Sequence, residues 1–420
     1  MKKIMTGNEA IARGAYEAGC KVAAAYPGTP STEILENIAN YKEIYSQWSV
    51  NEKVALEVAG GASIAGARAL CAMKHVGLNV AADPLFTLAY TGVNGGLVVV
   101  TADDPGLHSS QNEQDNRYYA IHAKAAMIEP SDSQECLDFA KYAFTLSEEY
   151  DIPVLLRVTT RICHSKSLVN MGSRQDVGVK EYKKYAAKYC MIPAFAKRRH
   201  PVVEQKLKKL REYSNKIPLN RIEWGDKKVG IITSGISYQH AREVMGDNAS
   251  YLKIGLSFPL PEKLIREFAS GVEKLYVIEE SEPYMETFVK SLGIKCIGKD
   301  VFPICGELNP EILEKVLRPE TSRNTYTLDM EIPSRPPVLC AGCPHRGMFY
   351  TLKKYKDVIV TGDIGCYSLS IMPPLDVTHT LICMGAGISA GIGFEKALTL
   401  AHNGKKVFGC MGDSTFFHSG

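Results

Sequence analysis

Short apolar runs separated by amphipathic stretches set the pattern of the first 170 residues. VAAAY at 22–26, YSQWSV at 45–50, ALCAMK at 69–74, LVVVTA at 97–102 and VLLRVT at 154–159 have strand length. The helical stretches between them predict a parallel, doubly wound sheet. Residues 171–224 are polar and charged, lack strong strand signals, and read as an elaborated connection. Alternation then resumes with KVGIITSG at 228–235, YLKIGLSFPLP at 251–261 and KLYVIEES at 274–281, which predict a Rossmann-like module. EIPSRPP at 331–337 carries three prolines in seven residues and marks a boundary. Beyond it, DVIVTGDIG, HTLICMGAG and KKVFGCMGDS are apolar strands that each run into a glycine-containing turn. Strand, glycine turn and helix in succession is how α/β proteins hold phosphates, because small residues let backbone N–H groups approach the anion.

Composition adds scale to that pattern. The chain has 420 residues, 45% apolar and 23% charged, enough for about three domains at ~150 residues each. A small stapled scaffold and a disordered chain are both excluded. Uninterrupted apolar stretches, such as Leu97 to Val100, are far short of the ~18 residues of a membrane span. Polar Thr6, Gly7, Asn8 and Glu9 stand where a signal peptide needs an apolar run. No membrane association and a cytoplasmic location are therefore expected. A net charge of +3 is too weak to steer nucleic acid. One stretch is locally basic: Lys197 to Lys216 holds eight Lys or Arg residues against Glu204 and Glu212. It is a polyanion patch or a solvated linker helix, and the linker is the favoured reading.

Twelve cysteines without an export signal should be reduced thiols, so clustered ones point to metal or redox chemistry. Cys20, Cys71, Cys136, Cys163, Cys190 and Cys296 are scattered among apolar or helical patterns and are expected to pack in the interior. Cys340 and Cys343 form a close pair in LCAGCPHRG, and Cys366 follows in GDIGCYSL. In MGDSTFFHSG at 411–420, Asp413 stands at a strand's carboxyl end, where a hard cation on a diphosphate needs an oxygen ligand. Glycine followed by a capping Asp is also an ordinary turn.

The order CAGCPHRG, GDIGCYSL, MGAGISAGIGFEKA and MGDSTFFHSG resembles the diphosphate-binding domain of the thiamine-diphosphate-dependent 2-oxoacid:ferredoxin oxidoreductases. AYPGTPSTEILE at 25–36 resembles that family's opening strand and turn beside the substrate. NEKVALEVAGGASIAGARA at 51–69 resembles its pyrimidine-binding helix, and GLHSSQNEQDNR at 106–117 the loop lining its reaction centre. The resemblance covers essentially the whole chain and is closest to the α subunits of the branch acting on indolepyruvate. It implies an α/β fold of three doubly wound or Rossmann-like parallel-sheet domains. These are a pyrimidine-binding domain at 1–170, a connection at 171–224, a transketolase C-terminal-type domain at 225–330 and a diphosphate-binding domain at 331–420.

The same resemblance assigns roles. Thiamine needs a carboxyl group at its pyrimidine nitrogen. Glu52 and Glu57 compete for that place, and Glu52 is preferred because it follows the YSQWSV strand directly and precedes the helix arginine Arg68 by sixteen residues. An acidic residue near a helix amino terminus is also favoured by the helix dipole alone. Thr29 and His108 are the substrate residues implied, Thr29 equally a turn residue between two prolines. Asp413 would hold Mg2+, with Gly362, Asp363, Gly365, Cys366, Gly385, Gly412 and Ser414 around the diphosphate. Cys340, Cys343 and Cys366 would ligate a [4Fe–4S] cluster, bind a different metal, or pack around the cofactor; Cys383 and Cys410 read as strand residues. His108, His345 and His418 are each a candidate proton donor or a hydrogen-bonded loop histidine, and the loop histidine is the favoured reading. At TADDPG the chain has Asp103 and Asp104 where pyruvate-specific relatives carry an arginine, which argues against a copy of the pyruvate site.

The activity implied is oxidative decarboxylation of arylpyruvates to the aryl-acetyl-CoA and CO2, with a β subunit, ferredoxin and coenzyme A as partners. Two rivals share parts of the pattern: a non-oxidative thiamine-dependent decarboxylase, and a non-catalytic subunit that keeps the fold. Family members continue past GDSTFFHSG, so the third domain is expected to be incomplete, and the chain alone to bind thiamine weakly with little ferredoxin-linked activity.

Overall fold

A computed structural model describes residues 1–320 and 328–419. The chain forms two compact units, Met1–Arg323 and Asn324–Gly420. Among the described residues no helix is long and apolar enough to cross a membrane.

The first unit is built on a seven-stranded sheet. Its order is Leu256–Phe258, Ala126–Ile128, Val154–Thr159, Leu97–Asp103, Ala69–Lys74, Val22–Ala25 and Tyr45–Trp48. All pairings are parallel except that of the edge strand Leu256–Phe258. Side chains alternate between two cores, as the period of a strand requires. Leu70, Ala72, Val98 and Val100 enter one core, whereas Cys71, Met73, Leu97 and Val99 enter the other. A largely parallel sheet buried on both faces and covered by helices on either side is the doubly wound arrangement.

A four-stranded sheet follows in the same unit, ordered Lys274–Ile278, Val229–Ser234, Ser250–Ile254 and Arg221–Glu223. YLKIGLSFPLP is not one strand of this module: it breaks at Gly255, and its second half, Leu256–Phe258, joins the seven-stranded sheet. Glycine is required at the break, since a Cβ there would lie 2.4 Å from the carbonyl oxygen of Leu219. The Asn220 side chain accepts from the N–H groups of Gly255 and Leu256, both at 2.8 Å, satisfying the backbone as it changes sheets. The basic stretch lies on the helix Pro193–Ser214, where Arg199 donates to the Tyr90 carbonyl and Lys206 to Asp151. Those cations serve to seat the helix, in keeping with the linker reading.

The second unit has a three-stranded parallel sheet, Thr380–Leu381, Val358–Gly362 and Lys406–Gly409. Helices Pro344–Leu352, Ala386–Leu400 and Asp413–Ser419 accompany it.

Cys20, Cys71, Cys136 and Cys163 are buried as expected. Cys190 is not: it follows the short helix Ala186–Tyr189, which buries none of its residues, and is exposed. Cys296 is half-buried.

Candidate active site

Parallel strands deliver their carboxyl ends to one edge of a sheet, and sites form where the strand order reverses. In the seven-stranded sheet that reversal falls between Val22–Ala25 and Ala69–Lys74. Gly28 and Lys74 meet there, a Cβ on Gly28 falling 3.1 Å from the Lys74 Cβ. Thr29, Glu52, Lys74, Asp103, Asp104, His108 and Arg161 all come from strand ends or following loops on this edge.

Glu52 opens the helix Glu52–Ile64, whose N-cap Asn51 accepts from the Val54 N–H at 2.9 Å. Its side chain is buried, and the Cβ that a larger residue would place at Gly77 lies 2.5 Å from Glu52 Oε1. Glu57, the competitor, is exposed on the same helix and paired with Lys53. Arg68 is outside the helix, which ends at Ile64. It forms a two-point pair with Glu148, at 3.0 and 2.9 Å, so its regular spacing from Glu52 reflects the length of the helix-to-strand connection.

Three groups below the 106–117 loop hold it in place. Lys74 Nζ donates to the Ser109 carbonyl at 2.8 Å, and burial pushes its ammonium below the ordinary lysine value, partly offset by Asp104. Asp104 accepts from Ser109 N, Ser110 Oγ and Thr160 Oγ1. These bonds hold its carboxyl below the usual range against the opposing effect of burial. His75 Nε2 lies 3.1 Å from the Asn112 carbonyl. Asp104 is thus spent on organising the loop. Asp103 is buried against Arg157 at 2.7 Å.

Thr29 and His108, 79 residues apart in sequence, line one cavity of about 560 Å3 with Ser109, Thr160, Arg161, His164, Ser165 and Glu307. Glu307 belongs to the stretch after the four-stranded sheet. It receives Arg161 at two points, both 2.6 Å, and lies 3.4 Å from His108 Nε2. The far end of the loop is anchored to the same module: Arg117 pairs with Asp115 and Glu279, and donates to the carbonyls of Glu280 and Glu282. Buried arginines held between carboxylates distant in sequence, Arg117 between Asp115 and Glu279 and Arg157 between Asp103 and Glu129, were not legible, because VLLRVT and QDNR look like an ordinary strand and loop. The available signal was a charge inside or at the end of an otherwise apolar strand: Lys74, Asp103 and Arg157.

In the second unit, Gly362 ends the strand Val358–Gly362, Asp413 opens the helix Asp413–Ser419, and Asp363, Gly365, Gly385 and Gly412 lie between the strands and the helical segments that follow them. Asp363 is buried and accepts from the N–H groups of Ile364 at 2.6 Å and Gly385 at 3.2 Å. Burial raises its carboxyl, and those two N–H groups oppose the rise. Gly365 and Gly412 both face the Tyr367 ring, where a Cβ would fall within 2.7 and 2.6 Å of it. Asp413 is exposed at the start of its helix, its Oδ1 accepting from the Ser414 N–H at 2.9 Å. His418 is buried, with Nδ1 against Ser419 Oγ.

These residues can be tested against the groups a thiamine enzyme holds. A buried carboxyl at a strand-to-helix junction fits an aminopyrimidine, and glycine turns beside an exposed carboxylate fit a magnesium diphosphate, since Mg2+ takes one or two carboxylates plus phosphate oxygens and water. The cysteines, by contrast, are not brought together as cluster ligands. Among the described residues no three His, Cys, Asp or Glu side chains gather as metal ligands. Cys340 and Cys366 are exposed, and Cys343 Sγ lies 3.1 Å from His345 Nδ1.

Comparison with known proteins agrees with the fold and the cofactor. Residues 13–218 match the thiamine-diphosphate-binding family of pyruvate flavodoxin/ferredoxin oxidoreductases, and residues 363–420 match the C-terminal binding domain of thiamine pyrophosphate enzymes. The indolepyruvate oxidoreductase subunit IorA of Archaeoglobus fulgidus is 42% identical over 100% of this chain and 71% of its own length. That of Methanothermobacter thermautotrophicus is also 42% identical, over 100% of this chain and 72% of its length. A solved 2-oxoglutarate:ferredoxin oxidoreductase from Magnetococcus marinus has the same fold, with a TM-score of 0.64 and 20% identity over 76% of this chain and 65% of that one. The likeness to IorA along the entire chain, over two thirds of the relatives' length, makes this protein a member of the indolepyruvate oxidoreductase IorA family, thiamine-diphosphate-binding oxidoreductases of the 2-oxoacid:ferredoxin class.

Proposed function

We propose that the chain is the catalytic α subunit of an enzyme that oxidises arylpyruvates. One arylpyruvate, one coenzyme A and two oxidised ferredoxins give the aryl-acetyl-CoA, carbon dioxide, one proton and two reduced ferredoxins. The observation that carries this reading is the likeness to indolepyruvate oxidoreductase subunits along the whole chain. The placement of Glu52 supports it.

When bound, thiamine diphosphate supplies the carbon nucleophile for the 2-oxo group and a place for the electron pair released with carbon dioxide. Glu52 exchanges a proton with the pyrimidine nitrogen, and its burial keeps bulk water from that exchange. Thr29 and His108 orient the substrate from opposite loops of one cavity. Asp413 supplies a carboxylate oxygen to Mg2+, while Gly362, Asp363, Gly365, Cys366, Gly385, Gly412 and Ser414 form the turns that approach the diphosphate. Domains at 1–170, 225–330 and 331–420, joined by 171–224, complete the reading, with a β subunit as partner and the cytoplasm as the place of action.

The test is a substrate panel. In the complex purified without oxygen together with its partner subunit, kcat/KM is measured for indolepyruvate, phenylpyruvate, pyruvate and 2-oxoglutarate. Arylpyruvates should exceed the small acids by about 100-fold or more. A preference for pyruvate or 2-oxoglutarate contradicts the substrate assignment.

A further inference from the structure

We propose that Arg161 receives the carboxylate of the substrate. The proposal rests on the assignment of the cavity holding Thr29 and His108 to the 2-oxoacid, and it names the group in that cavity that recognises the acid.

Strand Val154–Thr159 ends directly before Thr160 and Arg161, and both residues line the cavity. Arg161 meets Glu307 side-on, Nε donating to Oε1 and Nη2 to Oε2, each at 2.6 Å. A guanidinium has five N–H groups in a fixed plane. The pair with Glu307 uses two of them and leaves the Nη1–Nη2 edge, on a side chain that is 51% exposed. That edge matches a second carboxylate at two points, the geometry in which arginine recognises such groups best. Glu307 keeps its own contact throughout, fixing the plane of the guanidinium.

The other cations near this sheet edge are already committed. Lys74 is bound to the Ser109 carbonyl beneath the loop. Arg157 is buried between Asp103 and Glu129, and Arg117 between Asp115 and Glu279. The two other basic side chains on the cavity, His108 and His164, face Glu307 at 3.4 Å and Glu33 at 3.7 Å. Asp103 and Asp104 repel a carboxylate. Arg161 alone among these groups combines permanent charge, a place on the cavity wall and an unused donor edge.

The experiment uses the complete enzyme with its partner subunit and the variants R161Q and R161K. Two pairs of probes differ only in the carboxylate: an arylpyruvate against the corresponding arylacetaldehyde in turnover, and an unreactive 3-arylpropionate against its primary amide in calorimetric titration. R161Q should raise KM for the arylpyruvate and Kd for the arylpropionate by about tenfold or more, a charge-assisted pair being lost. It should leave the aldehyde and the amide unchanged, and R161K should recover part of the loss. Equal losses on acid and aldehyde, an unimpaired R161Q, or a wild type that does not distinguish arylpropionate from amide would each overturn the proposal. A wild type that binds arylpropionate through Arg161 yet turns over no arylpyruvate upholds the carboxylate site and sinks the proposed reaction instead.

Discussion

Gly77 and Glu52 leave no space between them: a Cβ at Gly77 falls 2.5 Å from Glu52 Oε1 and 2.6 Å from its Cγ. The carboxyl is buried. Gly77→Ala is therefore expected to displace the carboxyl, weakening thiamine diphosphate binding and lowering kcat together. Glu52→Gln keeps the shape and removes the proton exchange, so kcat should fall by about 100-fold or more while the cofactor still binds. Glu57→Gln, on the exposed face, should leave both unchanged. Steady-state kinetics with a cofactor titration decide the matter, and an active Glu52→Gln enzyme contradicts the role given to Glu52.

Arg117 is 1% exposed and shared by Asp115 and Glu279, which are equally buried. Arg117→Leu takes the nearer cation from both carboxylates, leaving Asp115 only Arg157 at 3.7 Å, and a buried pair broken on one side costs about 3–5 kcal/mol. Urea unfolding monitored by circular dichroism should report a loss of that size. A change below about 1 kcal/mol would show that the surrounding backbone donors, the N–H groups of Met285 and Glu286 on Glu279, suffice alone.

Glu280 gives stability a pH dependence of a definite sign. Burial pushes its carboxyl up to about 7, against the lowering effect of the Leu308 N–H and Arg157. Between its unfolded value near 4.5 and about 7, the folded state holds the proton more tightly than the unfolded state. The stability this residue contributes is thus fully present below that window and is lost as pH rises through it, by at most about 3 kcal/mol. Glu280→Gln retains an acceptor for Leu308 and removes the titration. Denaturation at pH 5 and pH 8 should show a smaller decline in the variant than in the wild type; equal declines contradict the assignment.

Lys74 supports the 106–117 loop from below through the Ser109 carbonyl. Lys74→Met preserves most of the buried stem and removes the donor. The loop is expected to loosen, with amide hydrogen exchange across Ser109 to Glu113 accelerating by about tenfold, and KM for the substrate rising. Unchanged exchange in that loop shows that Asp104 and His75 hold it without Lys74.

Most of the scaffold was readable because apolar strands of the right length alternate with helices, and the place of Glu52 was readable because a carboxylate directly after a strand lands at the carboxyl edge of a parallel sheet. What escaped has tertiary causes. The split of YLKIGLSFPLP is set by Gly255 meeting the Leu219 backbone, a contact 36 residues back along the chain. The pairing of Arg161 with Glu307 joins residues 146 apart, and no local pattern encodes it. Cys190 misled for the opposite reason: it sits in a helical pattern whose helix is four residues long and buries nothing.

The coupling of decarboxylation to electron transfer is the central claim, and counting both products of one reaction tests it most directly. The complex, supplied with an arylpyruvate, coenzyme A and oxidised ferredoxin without oxygen, should reduce two ferredoxins for each carbon dioxide released and make one acyl-CoA. Carbon dioxide released at full rate with an aldehyde product and no reduced ferredoxin would contradict the account and leave a simple decarboxylase in its place.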